Sequence, residues 1–145
     1  MSEPDSIRNR RLREFLDRVW SGGDGGAADA YLADRYTIHN DPGDPWEGRT
    51  LSREGFRERL TASRAAAPDQ RFDPVHMGES GDAVAVAWRW SGTHTGPAPG
   101  LPPPTGRALA MTGATFYFFD DEDRLTGHWQ IADRLGTYRQ ITGAD

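Results

Sequence analysis

The stretch that decides the fold is Ala83-Val84-Ala85-Val86-Ala87-Trp88-Arg89-Trp90. Valine or tryptophan occupies every second position, and alanine fills the first three positions between them. A period of two is that of a β-strand, whose successive side chains point to opposite faces of a sheet. A sheet with one face in water would normally be polar on that face. We therefore expect helices to cover one face and a second subunit to cover part of the other, which predicts a homodimer.

The same period extends through the second half of the chain and predicts four strands. They are Phe72–Met77, Ala83–His94, Thr105–Phe119 and Arg124–Ala132. Turn-forming sequences separate them: a Ser-Gly-Asp turn at 80–82, a proline-rich loop at 96–106 and an acidic turn at 120–123. Strands joined in this order predict an antiparallel meander.

The first half of the chain is predicted to be mostly helical. Residues 2–5 (Ser-Glu-Pro-Asp) have the composition of a helix start, and an apolar stripe with helical spacing follows over 12–20. Asp24 is expected to cap a short second helix and Ser52 a third. Between them, Tyr36-Thr37-Ile38-His39 predicts a short strand. Helices followed by strands indicate an α+β fold, and residues 1–145 are expected to form one domain.

Composition excludes several classes of chemistry. The chain has no cysteine, and all 17 basic residues are arginine. Thiol nucleophiles, Schiff-base lysines and cysteine-ligated metals are therefore excluded. Any catalysis must rest on carboxylates, histidine, tyrosine, hydroxyl groups, arginine or the backbone.

Charge and hydropathy bear on the partners. A net charge of −5 provides no basic field for nucleic acid or anionic membranes. No stretch approaches the ~20 apolar residues of a membrane span, and the N-terminus lacks the apolar core of a signal peptide. We expect a cytoplasmic protein that binds a small molecule.

Asp133 is the leading candidate for an acid/base group. It follows a predicted strand and has Trp129, Ile131 and Ala132 as neighbours. Apolar surroundings would disfavour its ionised carboxylate, as a general acid/base working near neutrality requires. The alternative is structural: Asp133 could cap a short helical segment over 134–140.

His39 is the second catalytic candidate, because at a strand end it could orient an acid or polarise a carbonyl; a structural role is the alternative. His39-Asn40-Asp41 with a distant histidine superficially resembles a two-histidine, one-carboxylate iron site. No other ligand-like cluster supports that hypothesis. The sequence therefore predicts neither a metal nor another cofactor.

Aromatic and apolar side chains are expected to contact the substrate. Leu101 is the one large apolar residue of the proline-rich loop, which is expected to form part of the cavity rim. His128 and Trp129 are adjacent, so a regular strand would point them to opposite faces, and Trp129 is expected to face the cavity with Asp133. The predicted substrate contacts are Trp88, Trp90, Leu101, Phe116, His128 and Trp129.

Taken together, these motifs resemble the SnoaL-like polyketide cyclases, within the nuclear transport factor 2-like and ketosteroid isomerase-like folds. The resemblance covers about residues 10–142, with these motifs: His39, Pro42 and Gly48; residues 81–86; Gly92-Thr93-His94-Thr95-Gly96; Pro103-Pro104-Thr105-Gly106-Arg107; and His128-Trp129 followed by Asp133, Leu135 and Gln140.

The resemblance implies a cone, in which a strongly curved antiparallel sheet with three helices packed on it encloses an apolar cavity, usually in a dimer. It also implies that Asp133 is the acid/base of an intramolecular, aldol-type ring closure without metal or cofactor. Three alternatives stay open on this fold. The first is an epoxide hydrolase, epoxide-opening cyclase or isomerase, and the second is a cyclase that acts by conformational confinement alone, for example in a cycloaddition. The third is a non-catalytic small-molecule binding protein.

Overall fold

The computed structural model describes residues 5–98 and 100–143 and has the predicted α+β architecture. Helices and strands follow in the order α1 Ile7–Phe15 with a π-helical continuation Leu16–Ser21, α2 Gly25–Ala28, β1 Leu32–Asn40, β2 Thr50–Ser52, α3 Arg53–Arg64, β3 Arg71–Ser80, β4 Ala83–Thr93, β5 Ala108–Phe119, β6 Leu125–Ala132 and α4 Arg134–Thr142. No helix in these two ranges is long and apolar enough to cross a membrane.

One six-stranded sheet of order β2-β1-β6-β5-β4-β3 forms the body of the fold. The predicted meander is confirmed, because β3, β4, β5 and β6 pair antiparallel in chain order. Strand β1 lies beside β6 and runs parallel to it. The sheet is therefore mixed, with one parallel pair of strands beside the antiparallel meander. Nothing in the residues of β1 itself specifies which strand it joins or in which direction.

The alternating stretch over 83–90 forms most of β4, which lies between β3 and β5. Strands β4 and β5 pair without interruption from Ala83 opposite Phe118 to Thr93 opposite Ala108. The predicted strands extended slightly too far here, because His94 and residues 105–107 belong to the loop between β4 and β5. Strand β2 was not predicted, since its three residues are too few to show a period.

Side-chain caps set three helix starts in the N-terminal half. Asp24 accepts a hydrogen bond from the Ala27 amide at 3.0 Å, and Ser52 caps α3 in the same way, as predicted. The expected start over residues 2–5 falls largely outside the described residues, and the observed cap of α1 is Ser6. Helix α2 is short, as expected, because the chain is already in β1 by Leu32.

The helices cover one face of the sheet, as expected. Val84, Val86, Trp88 and Trp90 of β4 point toward them and are buried. Phe15 of α1 lies at the centre of this core, and its ring centroid is about 6 Å from those of Tyr31, Phe56 and Tyr117. The helix-covered side is called the inner face below.

The opposite face of the sheet, called the outer face below, is not covered by any element within residues 5–98 and 100–143. Its exposed large side chains include Val75, Phe116, Trp129 and Ile131, with Ile131 55% exposed. Apolar side chains on both faces of the sheet were predicted from the sequence, and the structure confirms them.

Candidate functional site

A cavity of about 450 Å³ lies between the inner face of the sheet, α3, α4 and the loops after β1 and β4. Its apolar wall consists of Trp20, Phe72, Trp88, Trp90, Leu101, Leu109, Met111 and Ile141. Its polar wall includes Tyr36, Asp44, Arg59, Gln70, His128, Gln130 and Arg134. A mostly apolar hollow of this size with a few convergent polar groups is typical of small-molecule sites.

Asp41 holds the polar wall together from behind. It follows β1, is fully buried and accepts hydrogen bonds from four side chains of three different elements. Its Oδ2 is 2.9 Å from His128 Nε2 and 3.4 Å from Arg59 Nη2. Its Oδ1 is 2.6 Å from Arg134 Nη2, and Gln130 Nε2 lies 3.2 Å from both oxygens. The carboxylate thus fixes the positions of β6, α3 and α4 around the cavity.

The two central groups of this network have defined charges. Burial alone would raise the pKa of Asp41, but hydrogen bonds from His128 and Arg134 and the charge of Arg134 outweigh it and lower that pKa. Burial also lowers the pKa of His128, and its bond to Asp41 only partly opposes this. Near neutral pH, Asp41 is therefore an anion and His128 a neutral imidazole.

These charges decide which nitrogen of His128 carries the proton. An ionised carboxylate only accepts hydrogen bonds, so Nε2 must carry the hydrogen that points to Asp41. Nδ1 is then an acceptor, and it lies 2.6 Å from the Tyr36 hydroxyl. Burial raises the pKa of Tyr36 well above its ordinary value, so Tyr36 is a phenol that donates to Nδ1. The result is a Tyr36–His128–Asp41 chain that begins in the cavity wall.

A second chain of buried hydrogen bonds supports Asp41 from the sheet. Trp88 Nε1 donates to Thr115 Oγ1 at 2.8 Å, and Thr115 donates to Gln130 Oε1 at 2.7 Å. Gln130 then uses its amide nitrogen for Asp41. Thr115 and Gln130 each have a partner on both sides, so the orientation of Gln130 is set by its neighbours.

The profile of SnoaL-like polyketide cyclases matches residues 10–141. The chain belongs to this family. A search of curated protein sequences gives no match.

Solved structures agree with the family assignment. A protein from Acidithiobacillus ferrooxidans, described as a candidate polyketide cyclase, is 48% identical, with a TM-score of 0.91 over 99% of this chain and 100% of its own. IdmH from Streptomyces antibioticus is 24% identical, with a TM-score of 0.77 over 94% of this chain and 99% of its own. TsrD from Streptomyces laurentii is also 24% identical, with a TM-score of 0.79 over 99% and 100%. The two more distant structures support the fold alone.

Four of the predicted substrate contacts line the cavity of this SnoaL-like chain. Trp88 and Trp90 reach it from β4, His128 from β6 and Leu101 from the proline-rich loop. Two others do not, because Phe116 and Trp129 lie on the outer face, 46% and 39% exposed.

The expected orientation of β6 was therefore wrong. His128 is buried on the inner side, whereas Trp129 points away from the helices. Trp129 was expected to face the cavity together with Asp133. In this fold the outer face is apolar too, so hydrophobicity does not distinguish the two directions.

Asp133 is not in the apolar surroundings expected of it. Its side chain is exposed and accepts a hydrogen bond from the Gly136 amide at 2.9 Å, as the cap of α4. The structural alternative stated above is confirmed, and the cavity wall does not include Asp133. The neighbouring Arg134 and Thr137 contribute to that wall instead.

His39 also lies away from the cavity. It is exposed on the outer face, where its ring meets that of Phe118 edge-on at 5.5 Å between centroids. Because Asp41 is bound on the inner side, the geometry does not bring the two together as metal ligands. No cluster of three or more potential metal-binding His, Asp or Glu side chains occurs within residues 5–98 and 100–143.

The proline-rich loop is attached firmly to the body of the fold. His94 is buried at its start and lies 3.0 Å from Thr105 Oγ1 across the loop. The amides of Thr95 and Gly96 both donate to the Ala66 carbonyl just after α3. Anchoring at this point keeps Leu101 in the cavity wall.

Sequence reasoning missed Tyr36, Arg59 and Arg134 as site residues and treated Asp41 mainly as part of a turn. Tyr36 does carry a signal, because a tyrosine within an apolar strand brings a hydroxyl that needs a buried partner. Arg59 carries one too, since it lies one residue before Leu60 on the apolar side of α3. Neither signal identifies the partner.

Proposed function

We propose that this SnoaL-like protein is a cofactor-independent cyclase that closes a ring within a polyketide-type substrate by confinement and acid/base catalysis. The observation that carries the proposal is the Tyr36–His128–Asp41 chain, which reaches the polar wall of a cavity that is otherwise mostly apolar. Holding the two reacting carbons of one molecule close together can lower a barrier by as much as ~7–11 kcal/mol.

The proton chemistry follows from the order of the chain. The Tyr36 oxygen takes a proton from the carbon next to a substrate carbonyl while its own proton passes to His128 Nδ1. The resulting imidazolium is stabilised by Asp41, as in hydrolase triads. The carbanion attacks a second carbonyl of the same molecule and forms the carbon–carbon bond. Tyr36 then protonates the new alkoxide and recovers its proton from His128, so the product is an isomer of the substrate.

The test uses a linear poly-β-ketone carried as an N-acetylcysteamine thioester, with cyclised products identified by mass spectrometry and NMR. We expect wild-type protein to form a ring product faster than buffer, and Tyr36→Phe to lower that rate by about 10²–10⁴-fold. Tyr138→Phe is the matched control, because Tyr138 also lines the cavity but is 46% exposed and outside the chain. Equal rates for the two variants would contradict the acid/base proposal.

A non-catalytic binding protein is the second candidate. The observation in its favour is that Asp41 is saturated by four partners, as in a purely structural network. In that case the cavity would bind the linear probe and release it unchanged. Binding without product from either the wild type or the Tyr36→Phe variant would support this candidate.

We also propose that the outer face of the sheet forms a homodimer interface. Phe116, Trp129 and Ile131 are exposed side by side on paired strands, an apolar patch that soluble monomers rarely present. Sedimentation of the wild type should give twice the mass of the chain, and Ile131→Asp should shift it toward the monomer. A monomeric wild type would refute this proposal.

A further inference from the structure

Arg59 is buried in the cavity wall with most of its guanidinium group unused. Its side chain is 5% exposed, and its Nη2 pairs with Asp44 at 2.9 Å and with Asp41 at 3.4 Å. Nε and Nη1 are buried and have no hydrogen-bond partner in the part of the chain that the structure describes. Buried polar groups are nearly always satisfied, so unpaired donors on a cavity residue indicate a missing acceptor.

The surroundings of Arg59 hold it in place. The guanidinium carbon lies 5.1 Å from the centroid of the Trp20 ring, which also lines the cavity. Both carboxylates bind the same nitrogen, Nη2, and this leaves the other two nitrogens without an acceptor. A planar, fixed guanidinium with free N–H groups suits an oxygen that carries negative charge.

Arg134 is the other cation of the wall, but its contacts differ. Its Nη2 binds Asp41 Oδ1, and its Nε donates to the Pro42 carbonyl. Its side chain is 35% exposed, compared with 5% for Arg59. An anion beside Arg59 would be better shielded from water than one beside Arg134. A charge-assisted hydrogen bond is stronger at such a shielded position.

We propose that Arg59 forms an oxyanion subsite in the cavity. Its ligand would carry an enolate, phenolate or carboxylate oxygen on a flat apolar body that packs on the cavity tryptophans. In the ring closure described above, this oxygen would be the carbonyl oxygen of the substrate, which becomes an enolate oxygen when the neighbouring carbon loses its proton. This subsite deepens the proposed function and rests on it, because both require that the cavity binds a ligand.

The test compares two ligands of nearly equal shape, 2-naphthoate and neutral 2-naphthamide, by calorimetric titration. At about pH 7.5 His128 is neutral, so the wall arginines are the cations available to the ligand. The affinity of the wild type for naphthoate should exceed its affinity for the amide by about tenfold or more, because a charge-assisted hydrogen bond is stronger than a neutral one. Equal affinities would overturn the proposal.

The variants are chosen to keep the charge of the wall constant. Arg59→Met alone would leave Asp44 with a weak ion pair to Arg134 at 3.9 Å, so the main variant is Arg59→Met with Asp44→Asn, which removes both charges. We expect it to fold, to bind the amide as before and to lose the preference for naphthoate. The matched control is Arg57→Met with Asp29→Asn, which removes an exposed ion pair from the same helix. The control should keep the preference.

Three further outcomes complete the test. If the preference survives in the Arg59/Asp44 variant but disappears in Arg134→Met, the subsite belongs to Arg134 and the proposal is wrong. Tyr36→Phe should keep the preference, because equilibrium binding of naphthoate requires no proton transfer. A wild type that prefers naphthoate but forms no ring product would refute the proposed function and leave the subsite standing.

Discussion

Replacing Asp41 by alanine should be among the most damaging substitutions in this protein. The change removes one fully buried carboxylate and leaves the donors of His128, Gln130 and Arg134 without their acceptor. Arg134 and Arg59 would then lose much of their compensating negative charge. No water can replace a carboxylate at so buried a position without further rearrangement.

The magnitude follows from the buried ion pairs. Removing one partner of a buried pair typically costs about 3–5 kcal/mol, because an uncompensated charge remains. For a chain of this size each kcal/mol lowers the melting temperature by about 2–4 °C. We therefore expect the free energy of unfolding to fall by about 3–5 kcal/mol and the melting temperature to fall by roughly 6–20 °C.

Urea unfolding followed by tryptophan fluorescence measures this loss. The control is Asp34→Ala, since Asp34 also pairs with an arginine but its side chain is 84% exposed. Exposed pairs contribute about 0–1 kcal/mol, so the control should unfold close to the wild type. If the free energy of unfolding of Asp41→Ala lies within about 1 kcal/mol of the wild-type value, the carboxylate does not hold this network together.

Three further predictions concern the site and its surroundings. Folding lowers the pKa of His128 from its ordinary value of 6.5, so the contribution of His128 to stability is complete above about pH 6.5. This contribution is lost as the pH falls toward the pKa of His128 in the folded protein. The urea midpoint of the wild type should therefore fall over this range more steeply than that of His128→Gln. Gly96→Ala should destabilise the fold by about 1–3 kcal/mol in the same assay, because its Cβ would overlap the Ala65 carbonyl oxygen, and a neutral result would show that the loop can move away. Asp133→Asn should keep both stability and turnover near the wild type, because asparagine caps helices as well as aspartate; a loss of two orders of magnitude in turnover would instead support Asp133 as the acid/base.

The parts of the fold that the sequence predicted are those with local causes. The alternation over 83–90 is decided by neighbouring residues, and it placed Val84, Val86, Trp88 and Trp90 correctly on one face. Asp24 and Ser52 were identified as caps because a cap bonds an amide only three residues away. Interactions of this range can be read from a short window of sequence.

The candidate site depends on contacts of long range and was largely missed. Asp41 is separated by 87 residues from His128 and by 93 from Arg134. In the sequence, Asp41 precedes a proline within a turn-rich stretch, which is a sufficient local explanation for an aspartate. Its burial and its four partners follow only from the way in which β1 meets β6.

The parallel pairing of β1 with β6 is the feature that links fold to site. In this register Ile38 lies opposite His128 and Thr37 opposite Gly127. Tyr36 and Ile38 share the inner face because they are two residues apart, so the Tyr36 hydroxyl reaches His128 Nδ1 from the neighbouring strand. A shift of one residue in β1 would turn Tyr36 to the outer face and break the chain to Asp41. The proposed chemistry therefore depends on a strand pairing whose direction the sequence did not predict.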